Sequence, residues 1–177
     1  MLVTKTFKIS NSTQSQFISL RQILDFISSN LPRNCDAAEI NFKLKAIITE
    51  LLNNAIKHPG NVETALHVFI DYEHIRIDKT DLGKRFNPNN LIPIPNEKSG
   101  YSVQLSCDAL NSVYAYIETE EFIKFYSEDN NLTNDFDINE IDEHFGLLII
   151  SKSADEFTYH HNKQSGLNTF SVNLKLF

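Results

Sequence analysis

Apolar and polar positions alternate from Leu2 to Ile9: Val3, Phe7 and Ile9 fall on one side, interrupted by Lys5, and Thr4, Thr6 and Lys8 on the other. This period of two predicts a strand, and a lysine within the apolar row suits a strand that reaches a sheet edge. Asn11, Ser12 and Thr13 then offer N-cap side chains, and Phe17, Leu20, Ile23, Leu24 and Ile27 recur at helical spacing until Asn30 and Pro32. After a polar loop at 33–36, a second helix is predicted from about Ala37 to His58. Its apolar stripe is Ile40, Leu44, Ile47, Ile48, Leu51 and Ala55, and Pro59 and Gly60 stop it. Strand periodicity resumes at Thr64–Asp71 and His74–Lys79, around a tight turn at Tyr72 and Glu73.

From Thr80 to Gly100 no period is sustained, and Asp, Asn, Gly and Pro88, Pro93 and Pro95 predict a long loop, a feature that in a compact domain is usually functional or mobile. Val113–Ile117 and Phe122–Tyr126 read as an inserted hairpin, and the acidic, Asn-rich stretch Glu128–Asp142 as a surface connection short of core residues. Phe145–Ala154 predicts a short buried helix. Two strands, Glu156–His161 and Leu167–Phe177, follow around a turn at Asn162–Gly166. The economical architecture is an α/β (α+β) two-layer sandwich, with helices packed on one face of a mixed, mostly antiparallel sheet. Residues 1–177 form a single domain in this reading, with the inserted hairpin and acidic connection at about 100–142.

A chain of 177 residues buries enough surface to need neither disulfides nor a structural metal. Its net charge of −7 and the lack of clustered Lys and Arg argue against nucleic acid or an anionic membrane as the main partner. The two cysteines, Cys35 and Cys107, form no C-x-x-C pair and read as reduced, mostly buried thiols. Met1–Ser10 lacks the apolar stretch of a secretion signal, and the longest strictly apolar run, Val113–Ile117, is far short of a membrane span. A cytoplasmic location is the expectation.

The most informative chemistry lies on the second helix. Glu50, Asn54 and His58 are four residues apart, drift by only about 40° per step, and so lie along one line beside the apolar stripe. A carboxylate and a carboxamide one turn apart can face a cleft, where the Asn oxygen suits Mg²⁺ and the Glu can orient water; the same line also reads as an ordinary polar face. Asp81-Leu82-Gly83 follows directly on a strand, placing one fixed acceptor beside a residue that permits close backbone approach, or forming a simple β-turn. Gly146 opens the short helix, whose unpaired N–H groups can receive phosphate oxygens, or it serves as a cap. His160 and His161 are adjacent on a strand and point to opposite faces, which does not suit joint chelation. Tyr114, Tyr116, Phe122, Phe125 and Tyr126 concentrate aromatic rings in the hairpin, either as local core or as a partner surface.

Taken in order, Glu50-x-x-x-Asn54-Ala55-x-x-His58, two strands, Asp81-x-Gly83-x-x-Phe86, Phe145-Gly146-Leu147 on a helix, and Gly166-x-x-Thr169-Phe170 entering a last strand form a series. The series resembles the Bergerat-fold ATP-binding superfamily of gyrase, MutL and the histidine kinases, and within it most of all the anti-sigma factor serine kinases. The similarity covers roughly 2–85 and 143–177, and its most specific element is the Glu, Asn, Ala and His pattern. It implies a Bergerat ATP-binding fold with ATP and Mg²⁺ as cofactors. Asn54 would bind the metal, and Glu50 would act as the catalytic residue that orients the attacking water or hydroxyl. Asp81 would accept the adenine amino hydrogen, Gly83 would let the base approach, Gly146 and its helix would hold phosphate oxygens, and Thr169 would reach the adenine edge through water. The implied partner is a regulatory protein of the sigma-factor or anti-sigma-antagonist type, with a homodimer left open and the activity that of a protein-serine kinase or ATPase. Arg85 stands where the family has a second glycine two residues beyond Gly83, and His144 where a glycine precedes Gly146 by two. A non-catalytic interaction module that keeps the fold, with weak or no nucleotide binding, is the alternative.

Overall fold

The computed structural model describes residues 2–9, 13–57, 63–88, 99–107, 110–130 and 145–177. Its elements follow in the order β1 (Val3–Ile9), α1 (Thr13–Asn30), α2 (Ala37–Lys57), β2 (Thr64–Ile70), β3 (His74–Asp81), β4 (Tyr101–Cys107), β5 (Asn111–Ile117), β6 (Phe122–Asp129), α3 (Phe145–Ser153), β7 (Glu156–Asn162) and β8 (Leu167–Lys175). His58, His144, Pro93, Pro95 and most of the acidic connection lie outside the described residues.

Local chemistry sets several of these boundaries. Asp36 caps α2, its Oδ1 accepting the N–H groups of Ala38 and Glu39 at 3.1 Å each. The buried Gln16 amide of α1 donates to the Leu52 carbonyl of α2 at 2.7 Å and joins the two helices. Asp71 closes the β2–β3 turn by accepting from the N–H groups of Glu73 and His74, and these two bonds hold its carboxyl below the usual range. Gly166 takes a left-handed φ of 72° in the β7–β8 turn, where Asn162 Oδ1 accepts from the Gln164 and Ser165 N–H groups.

The eight strands form one sheet in the order β1-β2-β3-β8-β7-β6-β5-β4, with every paired neighbour antiparallel. The expected mixed sheet is therefore corrected. Two helices lie between β1 and β2 and α3 lies between β6 and β7, and each time the chain re-enters the sheet in the opposite direction; β2–β3, β4–β5, β5–β6 and β7–β8 are joined by short connections. The inserted segment also differs from expectation. It contains a third strand, β4, and β6 pairs with β7, so the insertion extends the main sheet instead of standing apart as a hairpin. The sequence of β4 alternates, Tyr101, Val103, Leu105 and Cys107 against Ser102, Gln104 and Ser106, and Val103 and Leu105 are buried; a register shift falls between Gln104 and Ser106.

One sheet face carries the core. Leu66, Val68, Ile75, Ile77, Val172 and Phe157 point to it and meet Ile23 and Ile27 of α1, Leu44, Ile47, Ile48 and Leu51 of α2, and Leu148 and Ile150 of α3. Strand alternation sends the next residues to the opposite face. In register across all eight strands these are Thr6, His67, Asp78, Ser171, Thr158, Lys124, Tyr116 and Ser102. The aromatic group of the insertion is divided the same way: Phe125 stacks on Phe157 within the core at 4.5 Å, whereas Tyr114 and Tyr126 stack on each other at 5.1 Å and remain half-buried. Cys35 is a free, half-buried thiol donating to the Pro32 carbonyl; Cys107 ends β4, and its side chain lies outside the description. No helix among the described residues is long and apolar enough to cross a membrane.

Candidate functional site

Two groups of predicted site residues assemble at different corners of the two layers. The first is built on the C-terminal end of β3. That strand runs two residues further than its alternation indicates, so Asp81 is its last residue and not part of the following loop. Ile75, Ile77, Lys79 and Asp81 share the core-facing side by alternation, and β8 places Asn168 directly across from Asp81. Asp81 Oδ1 accepts the Gly83 N–H at 2.9 Å and the Asn168 amide at 2.9 Å, while Oδ2 accepts from Lys79 Nζ at 2.7 Å. Burial by itself would raise the Asp81 carboxyl, but the Lys79 charge and these three donors outweigh it and hold the group below the usual carboxylate range.

The loop after Asp81 is fastened to the same strands. Asn168 also donates to the Gly83 carbonyl at 3.0 Å, and its Oδ1 accepts from the Tyr159 hydroxyl at 2.6 Å. His161 Nδ1 lies 3.0 Å from that same oxygen, while His160 is exposed, so the two histidines part as expected. The Tyr159 oxygen in turn accepts the Phe86 N–H at 3.0 Å, and burial pushes the Tyr159 phenol up. The Phe86 ring meets Tyr159, Phe125 and Phe170 edge-on at 5.6–5.9 Å. Arg85 turns away from this group and donates to the Glu120 carbonyl in the β5–β6 turn.

The second corner lies between α2 and α3. Glu50, Asn53 and Asn54 are half-buried on α2, and the Asn53 amide reaches Glu50 Oε1 at 3.5 Å. Gly146 sits in the first turn of α3 against the other carboxylate oxygen: a Cβ built on it would lie 2.6 Å from Glu50 Oε2. A glycine is therefore required there unless Glu50 moves, and the carboxylate lies beside the first turn of α3. Glu50 and Gly146 are thus brought together, and Gly83 stands beside Asp81, where a Cβ would approach Oδ1 to 3.1 Å.

Thr169 is not brought together with Asp81. The register pairs it with Thr80, one position out of step, so it lies on the opposite sheet face with Asp78 and Ser171 as neighbours in the pleat. Asn168 takes the place across from Asp81. Lys79, Asn168 and Tyr159 were not singled out in the sequence. One signal was present: in His74-Ile75-Arg76-Ile77-Asp78-Lys79, a period of two puts Lys79 on the side of the two isoleucines, an inward lysine that requires a partner.

Glu50 and Asn54 supply hard oxygen donors one helical turn apart, which fits Mg²⁺, and Gly146 keeps the space beside Glu50 clear of a side chain. No protein-family model matches the chain, and no curated protein does either.

Proposed function

We propose that this chain is an ATP-binding regulatory domain resembling the anti-sigma factor serine/threonine kinases, with Mg-ATP held between the Asn54 helix and the Asp81 loop on a Bergerat-type sandwich. The observation that carries the reading is the placement of Gly146, in the first turn of α3, against the Glu50 carboxylate of α2, which joins two distant pieces of the sequence series at one helix N-terminus. The ending of β3 on Asp81, with β8 beside it, supports the same reading.

Asp81 would receive the adenine amino group and Gly83 would admit the base, while Gly146 and the first turn of α3 would hold phosphate oxygens. Asn54 would hold Mg²⁺, which supplies positive charge to the triphosphate when bound. Glu50 would orient a partner hydroxyl or water for protein-serine kinase or ATPase activity. Glu50 fills the space beside Gly146 in the first turn of α3, where phosphate oxygens would lie, and turnover in the isolated domain is slow or absent. The partner is a regulatory protein of the sigma-factor or anti-sigma-antagonist type, recognised without nucleic acid or membrane, and the domain works in the cytoplasm as a monomer or homodimer.

A second reading, an interaction module that keeps the fold and binds nucleotide weakly or not at all, is favoured by the three donors from its own chain that Asp81 already accepts. Calorimetric titration with ATP, with and without Mg²⁺, separates the two. The nucleotide reading expects saturable binding that Asn54→Ala weakens only when Mg²⁺ is present, with little loss of stability. No binding of ATP or ADP at millimolar concentration would replace it with the interaction module.

A further inference from the structure

Lys79 is 5 % exposed, and its stem runs on the core side beside Ile77, across from Leu66 in the register. Its ammonium has three N–H donors. Among the described residues one is used by Asp81 Oδ2 at 2.7 Å, and the charge lies 5.4 Å from the Phe170 ring centroid, a cation–π distance. These two contacts leave an N–H donor without a protein acceptor among the described residues, next to a carboxylate that is itself almost full. Asp81 accepts from Gly83, Asn168 and Lys79, and a carboxylate has about four acceptor positions.

The corner therefore offers one donor and one acceptor side by side, bordered by the rings of Phe86, Tyr159 and Phe170. We infer that Lys79 is a specificity-determining residue for the base: it donates directly to the ring nitrogen N1 of adenine while the neighbouring 6-amino group donates to the last free position on Asp81. The inference rests on the nucleotide reading above. It assigns to Lys79 the contact that Thr169, placed on the other face of the sheet, does not make.

The test is a cycle of two proteins and two ligands: the full chain and Lys79→Met, each titrated with Mg-ATP and with Mg-1-deaza-ATP, which keeps the amino group and lacks N1. The full chain is expected to prefer ATP about tenfold, the scale of one hydrogen bond left unmade in a buried site. In Lys79→Met the preference falls to about one, because the donor is gone. If Lys79→Met does not fold, Lys79→Leu combined with Asp81→Asn removes both charges and is read against Asp81→Asn alone, the preference again disappearing with the lysine. A preference that survives loss of Lys79, or none in the full chain, overturns the inference and leaves the nucleotide reading standing. Failure of the full chain to bind either ligand overturns both.

Discussion

The Asp81 corner and the Glu50 corner are built by different means. At Asp81 the polar groups come from β3, β7, β8 and the following loop, and one chain of hydrogen bonds runs from Lys79 through Asp81 and Asn168 to Tyr159 and Phe86. At Glu50 the polar groups share one helix, and Gly146 of α3 leaves the carboxylate the space that a Cβ would take. A buried network in low dielectric is costly to break at any member, whereas a half-buried side chain at a helix end can rotate away. The first corner is thus fixed in place before a ligand arrives, and the second is able to adjust. In the proposed function that division suits a rigid base site and a movable phosphate site.

The largest effect expected from disturbing this contrast is at Lys79. Lys79→Met leaves Asp81 charged and without its ammonium, and should lower unfolding free energy by about 3 kcal/mol in a urea titration, the scale for breaking a buried pair from one side. Adding Asp81→Asn should return much of that loss, since the uncompensated charge is removed. Asn168→Ala comes next. The side chain is 1 % exposed and serves Asp81, the Gly83 carbonyl and the Tyr159 hydroxyl, so its loss should cost about 2 kcal/mol, read as a lower urea midpoint with an unchanged slope.

The acid limb of stability sharpens the comparison further. The Asp81 carboxyl lies lower in the folded chain than in the unfolded one, so its contribution is present above the unfolded value, about 3.9, and is lost as pH falls through the lowered one. Asp81→Asn should therefore show a shallower loss of stability below about pH 4 than the natural chain. The smallest expected change is at the other corner. Gly146→Ala should shift stability by under about 1 kcal/mol, because the added Cβ meets the far end of a flexible Glu50 while alanine is the better helix former. In a Glu50→Ala background the same change should be stabilising, and a double-mutant cycle measures the difference. Equal effects in both backgrounds would show that the close approach carries no energy.

How much of this was legible in the sequence follows the same division. Glu50 and Asn54 could be read because helical geometry fixes neighbours four apart, and Asp36, Asp71 and Asn162 act within three residues of themselves. The helices and most strands could be read for the same reason. Asn168 could not, because its role is set by the β3–β8 register, which relates residues 87 apart in the chain, and a shift of one position separates it from Thr169. The third strand of the insertion carries a period of two from Tyr101 to Cys107 that the reading of a single hairpin passes over, whereas the joining of β6 to β7 is again a matter of register. The aromatic cluster admitted two readings because alternation allots its rings to both faces.

The central claim is that a nucleotide spans the two corners. Backbone amide NMR spectra recorded as Mg-ATP is added to the full chain test it most directly. The account predicts saturable shifts at residues 50–54, at 81–86 and at 145–148, with those at 81–86 reproduced by adenosine alone and those at 145–148 requiring the phosphates. Shifts confined to the opposite sheet face, around His67, Ser171 and Thr169, or an unchanged spectrum at millimolar ATP, would contradict it.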